Sequence, residues 1–371
     1  MVFPMNEPAA PEPKIRVLVV DDSAVMRRAI TTTLAKDPQI EIVGTANHGR
    51  AGLEALERLQ PDVVTLDIEM PEMDGLTALR ALRKTHPRLP VIMFSSLTQR
   101  GAQATILALT AGASDYVGKP ADMANLTEAF RCLETELIPK VKVFGLQVLA
   151  QRAAALLPPT PTAGATAFTA PGRIRRGTME AVCIGVSTGG PMALVQLFTA
   201  WTEPLAVPLF IVQHMPPTFT GLLAQRLTSA GVMDVVEAQD GDMVEPGRAY
   251  LAPGGRHMEV VRTETGTRLR ITDDPPENSC RPAADVLFRS AAKVYGGGLL
   301  GVVLTGMGCD GMKGCQIIRE RGGNILAQDE ASSVVWGMPG AVVKAALADA
   351  VLPLTDLPAE IARVTRSKLI F

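Results

Sequence analysis

Residues 15–22 read IRVLVVDD and residues 63–75 read VVTLDIEMPEMDG. In each, a largely apolar run of strand length ends on aspartate: Asp21 and Asp22 after the first, Asp67 after the second. Continuous apolar residues mark strands covered on both faces, as in a parallel sheet flanked by helices. Short apolar runs recur at EIVGTA (41–46), PVIMFSS (90–96) and SDYVGK (114–119), with segments of helical period between them. Residues 14–131 are therefore expected to form a five-stranded parallel α/β domain.

Beyond it, VKVFGLQVLAQRAAALL (141–157) has helical character, and PPTPTAGATAFTAPG (158–172) has the composition of a linker. We place an interdomain linker at 132–177 and a second domain at 178–371. The second domain resumes the alternation with AVCIGVS (181–187), PLFIVQH (208–214), GRAYLAP (247–253), HMEVVR (257–262), LRITDD (269–274), GLLGVVLT (298–305), GGNILAQD (322–329) and AVLPL (350–354). This pattern predicts a doubly wound, mostly parallel α/β domain, with the closely spaced strands from 247 to 274 forming an antiparallel excursion at one edge.

Composition agrees with two globular cores: of 371 residues, 47% are hydrophobic and 20% charged. A net charge of -2 with interspersed signs offers no footprint for nucleic acid or anionic lipid. The opening MVFPMNEPAAPEPK lacks a signal-like basic start and apolar stretch, and no run of about 18 apolar residues occurs, so a cytoplasmic location is expected. The 5 cysteines are odd in number and irregular in spacing, which suits reduced packing residues rather than a disulfide framework. Cys309, in a glycine-rich loop, has no adjoining histidine to activate it as a nucleophile.

Asp21, Asp22 and Asp67 fall at carboxyl ends of strands, the edge where open parallel sheets bind ligands. Clustered carboxylates repel one another, and a hard divalent cation such as Mg²⁺ relieves that repulsion. Ser95 and Lys119 lie at two further strand ends, where a hydroxyl and an ammonium could bind phosphoryl oxygens. Asp67 would be the acceptor, as an acyl phosphate. Each acid alone could equally cap a helix.

Together these residues carry a resemblance to the receiver domain of bacterial response regulators, through DD at Asp21 and Asp22, LDIEMPEMDG (66–75), Ser95, and KP at Lys119 and Pro120. The resemblance implies a flavodoxin-like fold and phosphorylation of Asp67 by a histidine kinase. It also implies that Asp22, Asp67 and the Glu69 carbonyl hold Mg²⁺ with Asp21 completing the pocket, and that Ser95 and Tyr116 are switch positions.

In the second domain, GVSTGG (185–190) joins an apolar run to a segment of helical period, which places Ser187 on a tight strand-to-helix turn. Amides opening the following helix could hold an oxyanion; a structural turn or a phosphate loop fits as well. His214 ends PLFIVQ before Met215-Pro216-Pro217, near the same edge, and is a candidate base. Asp310 lies in LTGMGCDGMKG (304–314), where it could orient His214 or cap the helix beginning at Met312.

These residues, with IGVSTGGP (184–191), VQHMPP (212–217), CRPAADVLF (280–288) and LTGMGCDG (304–311), resemble the catalytic domain of chemotaxis protein-glutamate methylesterases. The resemblance implies a Ser187–His214–Asp310 triad, an oxyanion amide from Met307, and Thr188 at the border of the site. It implies demethylation of glutamate methyl esters on chemotaxis receptors, with deamidation of receptor glutamines by the same acyl chemistry. No cofactor is expected for hydrolysis, and contact with the membrane is expected only through receptors. A general esterase is the rival reading; α/β-hydrolases place the acid before the histidine, which here would require His257 after Asp240 or Asp242.

Overall fold

A computed structural model of the chain describes residues 13–96, 98–119, 130–131, 133–156 and 179–366. The chain divides into two compact units, residues 1–96 with 116–161 and residues 97–115 with 162–371.

The first sheet is built from β1 (Ile15–Val20), β2 (Ile40–Ala46), β3 (Val63–Asp67), β4 (Val91–Ser95) and β5 (Asp115–Gly118), in the order β2-β1-β3-β4-β5. Helices α1 (Ala24–Leu34), α2 (Gly49–Leu59), α3 (Gly75–Thr85) and α4 (Gln99–Thr110) connect the strands. Their starts follow the local chemistry: Ser23 accepts from the Met26 N–H at 3.3 Å, and Asp74 accepts from the Thr77 N–H at 2.7 Å. Helix α5 (Ile138–Leu156) lies on β1, burying Val141 and Phe144. It comes so close that a Cβ on Gly145 would sit 2.2 Å from the Ile15 side chain.

The second sheet contains β6 (Ala181–Val186), β7 (Leu209–Gln213), β8 (Asp234–Glu237), β9 (Arg248–Leu251), β12 (Leu299–Val303), β13 (Asn324–Gln328) and β14 (Ala350–Leu352). Its order is β14-β13-β12-β6-β7-β9-β8, and every pairing is parallel. The antiparallel excursion is narrower than expected. Only β10 (His257–Thr263) and β11 (Gly266–Thr272) form it, as a separate hairpin, while GRAYLAP supplies β9 of the parallel sheet. Residues 248–251 are buried over Ala249–Leu251 and pair with β7, which the spacing to the next strands concealed.

Around this sheet lie α6 (Gly190–Ala200), α7 (Pro217–Ala230), α8 (Ala284–Tyr295), α9 (Met312–Glu320), α10 (Met338–Lys344) and α11 (Leu357–Thr365). Helix α8 buries Ala284, Leu287, Phe288, Ala291 and Ala292, a stripe with helical spacing. Phe288 is wholly buried, and two glycines make room for this face of α8. A Cβ on Gly185 would sit 2.8 Å from Ala284, and one on Gly314 would sit 2.5 Å from Phe288.

Since Phe288 fills the space between α8, β6 and α9, Phe288→Ala should destabilise the second unit by about 3–5 kcal/mol through lost transfer energy and an unfilled cavity. Urea unfolding followed by tryptophan fluorescence would measure it. A loss below about 1 kcal/mol would mean that the site collapses around the missing ring.

Candidate functional site

In the first sheet, the strand order reverses between β1 and β3, and this is the edge at which Asp21 and Asp67 emerge. Asp21 and Asp67 are buried and Asp22 is exposed; one carboxylate oxygen from each lies within 4.8 Å of the others. Lys119 Nζ is 2.7 Å from Asp67 Oδ2 and 3.6 Å from Asp21 Oδ2. Burial pushes the Asp67 carboxyl up to about 6; the bond from Lys119 opposes this and the Asp21 charge adds to it. Asp21 is raised as well, chiefly by burial. Burial works against the Lys119 ammonium, but its bond to Asp67 and the surrounding acids hold it above its ordinary value.

Carboxylates driven upward by burial and mutual repulsion, and only partly offset by one ammonium, are a donor set that fits a hard divalent cation. Glu69 donates its N–H to Asp67 Oδ1 at 3.3 Å, so this residue abuts the acceptor. Gly75 opens α3 against the same turn, where a Cβ would fall 1.9 Å from the Asp67 carbonyl oxygen. Ser95 is buried at the end of β4, and its carbonyl accepts the Lys119 N–H at 2.7 Å. Tyr116 is half-buried on β5, with Lys140 Nζ 5.3 Å from its ring centroid. Pro120, like Cys132, lies outside the described residues.

The second sheet reverses its order between β6 and β12. Gly185 of β6 pairs with Val303 of β12, and Val186 with Gln213 of β7, so the carboxyl ends of three strands are level. Ser187 follows β6, His214 follows β7, and the loop carrying Asp310 follows β12. The Ser187 turn is fixed from several sides. Its N–H donates to Thr305 O at 3.0 Å, and its carbonyl accepts from Gly190 N at 2.8 Å and from Gln213 Nε2 at 3.0 Å. Thr305 Oγ1 donates to the carbonyl of buried Thr188 at 2.9 Å. Gly189 at φ 77° has the left-handed backbone that glycine permits. A Cβ on Gly306 would sit 2.9 Å from Ser187 Cβ, which brings the half-buried Met307 alongside the serine.

Asp310 is 2% exposed, yet five donors reach it. Oδ2 accepts from His214 Nε2 at 2.9 Å and from Ala284 N at 2.6 Å. Oδ1 accepts from Asn278 Nδ2 at 2.9 Å, Gly311 N at 3.0 Å and Asp285 N at 3.1 Å. Asp310 does act as a helix cap, but on α8, whose first amides it receives, and it binds His214 at the same time. Burial pushes its carboxyl up; the bond and charge of His214 with the two amides outweigh that and hold it below the ordinary carboxylate range. Burial likewise disfavours the imidazolium, but Asp310 and Cys280 hold His214 up at about 9.

With Nε2 on Asp310, the nitrogen left as a base is Nδ1, and Cys280 Sγ stands 3.5 Å from it. Among the described residues no hydrogen bond joins Ser187 Oγ to the imidazole; such bonds often tighten only with substrate in place. The rival histidine is occupied elsewhere. His257 Nδ1 accepts from Ala283 N at 3.2 Å, and Nε2 lies 3.1 Å from Pro275 O. Asp240 and Asp242 accept from Ile271 N and Gln239 N instead. Cys309 is exposed, and Cys183 and Cys315 are buried free thiols. Sequence reading gave no site role to Asn278, Cys280, Gln213 and Thr305, which surround the three residues; the last three lie within the quoted motifs VQHMPP, CRPAADVLF and LTGMGCDG, whereas nothing in the sequence marks Asn278.

Comparisons with known proteins bear on the family of each domain. Residues 17–131 match the response regulator receiver domain family and residues 182–361 match the CheB methylesterase family. A protein-glutamate methylesterase/protein-glutamine glutaminase of Trichodesmium erythraeum is 50% identical over 351 residues, covering 95% of this chain and 99% of its own. One from a Nocardioides species is 51% identical over 354 residues, covering 95% of both chains. One from Pyrococcus abyssi is 43% identical over 353 residues, covering 94% and 93%. With both domains matched and relatives aligned along nearly their whole length, the chain belongs to the CheB family of receiver-bearing methylesterases.

Proposed function

We propose that the chain is a phosphorylation-activated serine hydrolase that removes methyl esters from receptor glutamates and deamidates receptor glutamines during chemotactic adaptation. The observation that carries this reading is the five-donor seat of Asp310, which fixes His214 beside the Ser187 turn at the sheet's switch point. The receiver is assigned to 14–131, the linker to 132–177 and the hydrolase to 178–371.

Nδ1 of His214 takes the proton from Ser187 Oγ as that oxygen attacks the side-chain carbonyl of the modified glutamate. Asp310 stabilises the imidazolium, and the Met307 amide, beside Gly306, receives the oxyanion; Thr188 lines the border. His214 returns the proton to the leaving group, releasing methanol from an ester or ammonia from an amide. Water then adds to the glutamyl–serine ester, giving its proton to His214, and glutamate and free Ser187 are restored.

In the receiver, Asp67 accepts the phosphoryl group from a histidine kinase, with Ser95 and Tyr116 as the switch pair and Lys119 on a phosphoryl oxygen. Asp22, Asp67 and the Glu69 carbonyl would hold Mg²⁺ beside Asp21, and the ion when bound neutralises charge on the transferring oxygens. Among the described residues no helix is long and apolar enough to cross a membrane. A cytoplasmic location, with receptors as the route to the membrane, completes the proposal.

Methanol release from methylated receptor membranes should fall by on the order of 10⁴-fold or more in Ser187→Ala. Activity retained there would overturn the triad. Asp67→Asn should keep basal release and lose the stimulation given by a small phosphodonor with Mg²⁺; stimulation that survives would place the acceptor elsewhere.

The base must be neutral to act, so kcat/KM should climb from neutral pH toward about 9 and level off above it. Asp310→Asn should move this limb to lower pH while reducing the rate by roughly 10⁴-fold. The same pair bears on stability: His214 is held above its ordinary 6.5, so its contribution is complete below 6.5 and is lost as pH rises through about 9. A thermal melting series across that window, wild type against His214→Ala, would register the difference.

A further inference from the structure

Asn278 stands outside the proposed triad, yet its amide nitrogen is 2.9 Å from Asp310 Oδ1 and 2.9 Å from Asp285 Oδ2. Those two carboxylates are 2% and 0% exposed and both belong to the α8–α9 corner. Asp285 is held up chiefly by burial, with the Asp310 charge adding to it. An NH₂ group has two hydrogens, and here one is directed at each acid. Apart from His214, the remaining donors to the pair are backbone amides: Gly314 for Asp285 at 2.6 Å, with Ala284, Asp285 and Gly311 for Asp310.

The backbone around Asn278 is built to deliver that amide. Asn278 at φ 52° and Ser279 at φ 62° are successive left-handed residues, a conformation that favours glycine and that asparagine tolerates better than most. Glu277 and Cys280 close the turn through reciprocal backbone bonds of 3.1 and 2.9 Å. Both Glu277 oxygens are held by Arg289 of α8 at 2.6 Å each. The turn is thereby fastened to the helix whose first amides hold Asp310. Its last residue, Cys280, contacts His214 Nδ1.

We propose that Asn278 is a positioning residue for ester hydrolysis, separating Asp285 from Asp310 and holding the Asp310 carboxylate so that Oδ2 faces His214. The inference rests on the triad reading above. The charged or titratable groups around Asp310 are His214 after β7, Cys280 and Glu277 of the turn, Asp285 and Arg289 of α8, and the buried thiol of Cys315 on α9; Lys313 of α9 faces Glu277. With Asn278 gone, the charge on Asp310 is less compensated and binds the His214 proton more firmly. The acid limb of the rate profile then moves to higher pH.

The test uses the full chain, activated with a small phosphodonor and Mg²⁺, on methylated receptor membranes. Asn278→Gly keeps the left-handed backbone and removes only the amide. It should lower kcat by roughly ten- to a hundredfold, leave KM nearly unchanged and displace the acid limb upward. Asn278→Asp, which matches the shape but presents an acceptor to two acids, should lose at least as much; because the side chain is exposed, this variant also decides the matter if the glycine variant does not fold. A folded variant with kcat within about twofold of wild type and an unmoved limb would overturn the proposal, as would a silent Asn278→Gly beside an impaired Asn278→Ala, which would reduce the residue to a turn former. Ser187→Ala is assayed alongside. Activity in that variant removes the triad, whereas an inactive Ser187→Ala with a silent Asn278→Gly removes this inference alone.

Discussion

A carboxylate at 2% exposure that stays ionised is the constraint around which the second domain is arranged. An unpaired buried charge is costly enough that the group would normally take up a proton. Asp310 avoids this because α8 begins at the sheet edge with its first amides unspent, and a helix N-terminus is a ready seat for an anion. Helix α8 can begin there only because Gly185 and Gly314 admit its inner face, where any side chain would collide with Ala284 or Phe288. The core packing of one helix and the orientation of His214 are therefore a single feature seen from two sides.

The receiver places carboxylates in an equivalent position and reaches the opposite electrostatic result. Asp21 and Asp67 also flank the point where strand order reverses, and both are buried. There, Lys119 and one backbone amide serve Asp67 while a second acid stands close by, so burial prevails and the carboxyl rises to about 6. At Asp310, five donors prevail and the carboxyl falls. A poorly compensated acid has affinity to spare for a cation or a phosphoryl group. A fully compensated one can serve only as a fixed counter-charge, and that is what a base-orienting residue requires.

Much of this was legible in the sequence because open α/β sheets put their chemistry at strand ends, and strand ends are visible where apolar runs stop. Asp21, Asp67, Ser187 and His214 all sit within a residue of such a stop. Less legible were features set by pairing at a distance. β8 is four residues long at the sheet's edge and has no apolar run to announce it; β9 was read with the hairpin because sequence spacing does not reveal its partner, β7. Asp310 was open to two readings; the structure brings it to His214, and the helix it caps is not the one beginning at Met312 but α8, 26 residues earlier. Asn278 left no signal, since its function depends on two left-handed residues whose conformation no local pattern specifies.

The contact between Cys280 and His214 bears on how the site begins its work. Asp310 occupies Nε2, so in the proposed mechanism Ser187 gives its proton to Nδ1, and in this structure the thiol stands against that nitrogen. A thiol is a weak hydrogen-bond partner, and at 3.5 Å it holds the nitrogen only loosely. A neighbour that steadies the ring without retaining the nitrogen therefore suits a base that must meet its nucleophile only when the substrate carbonyl is in reach.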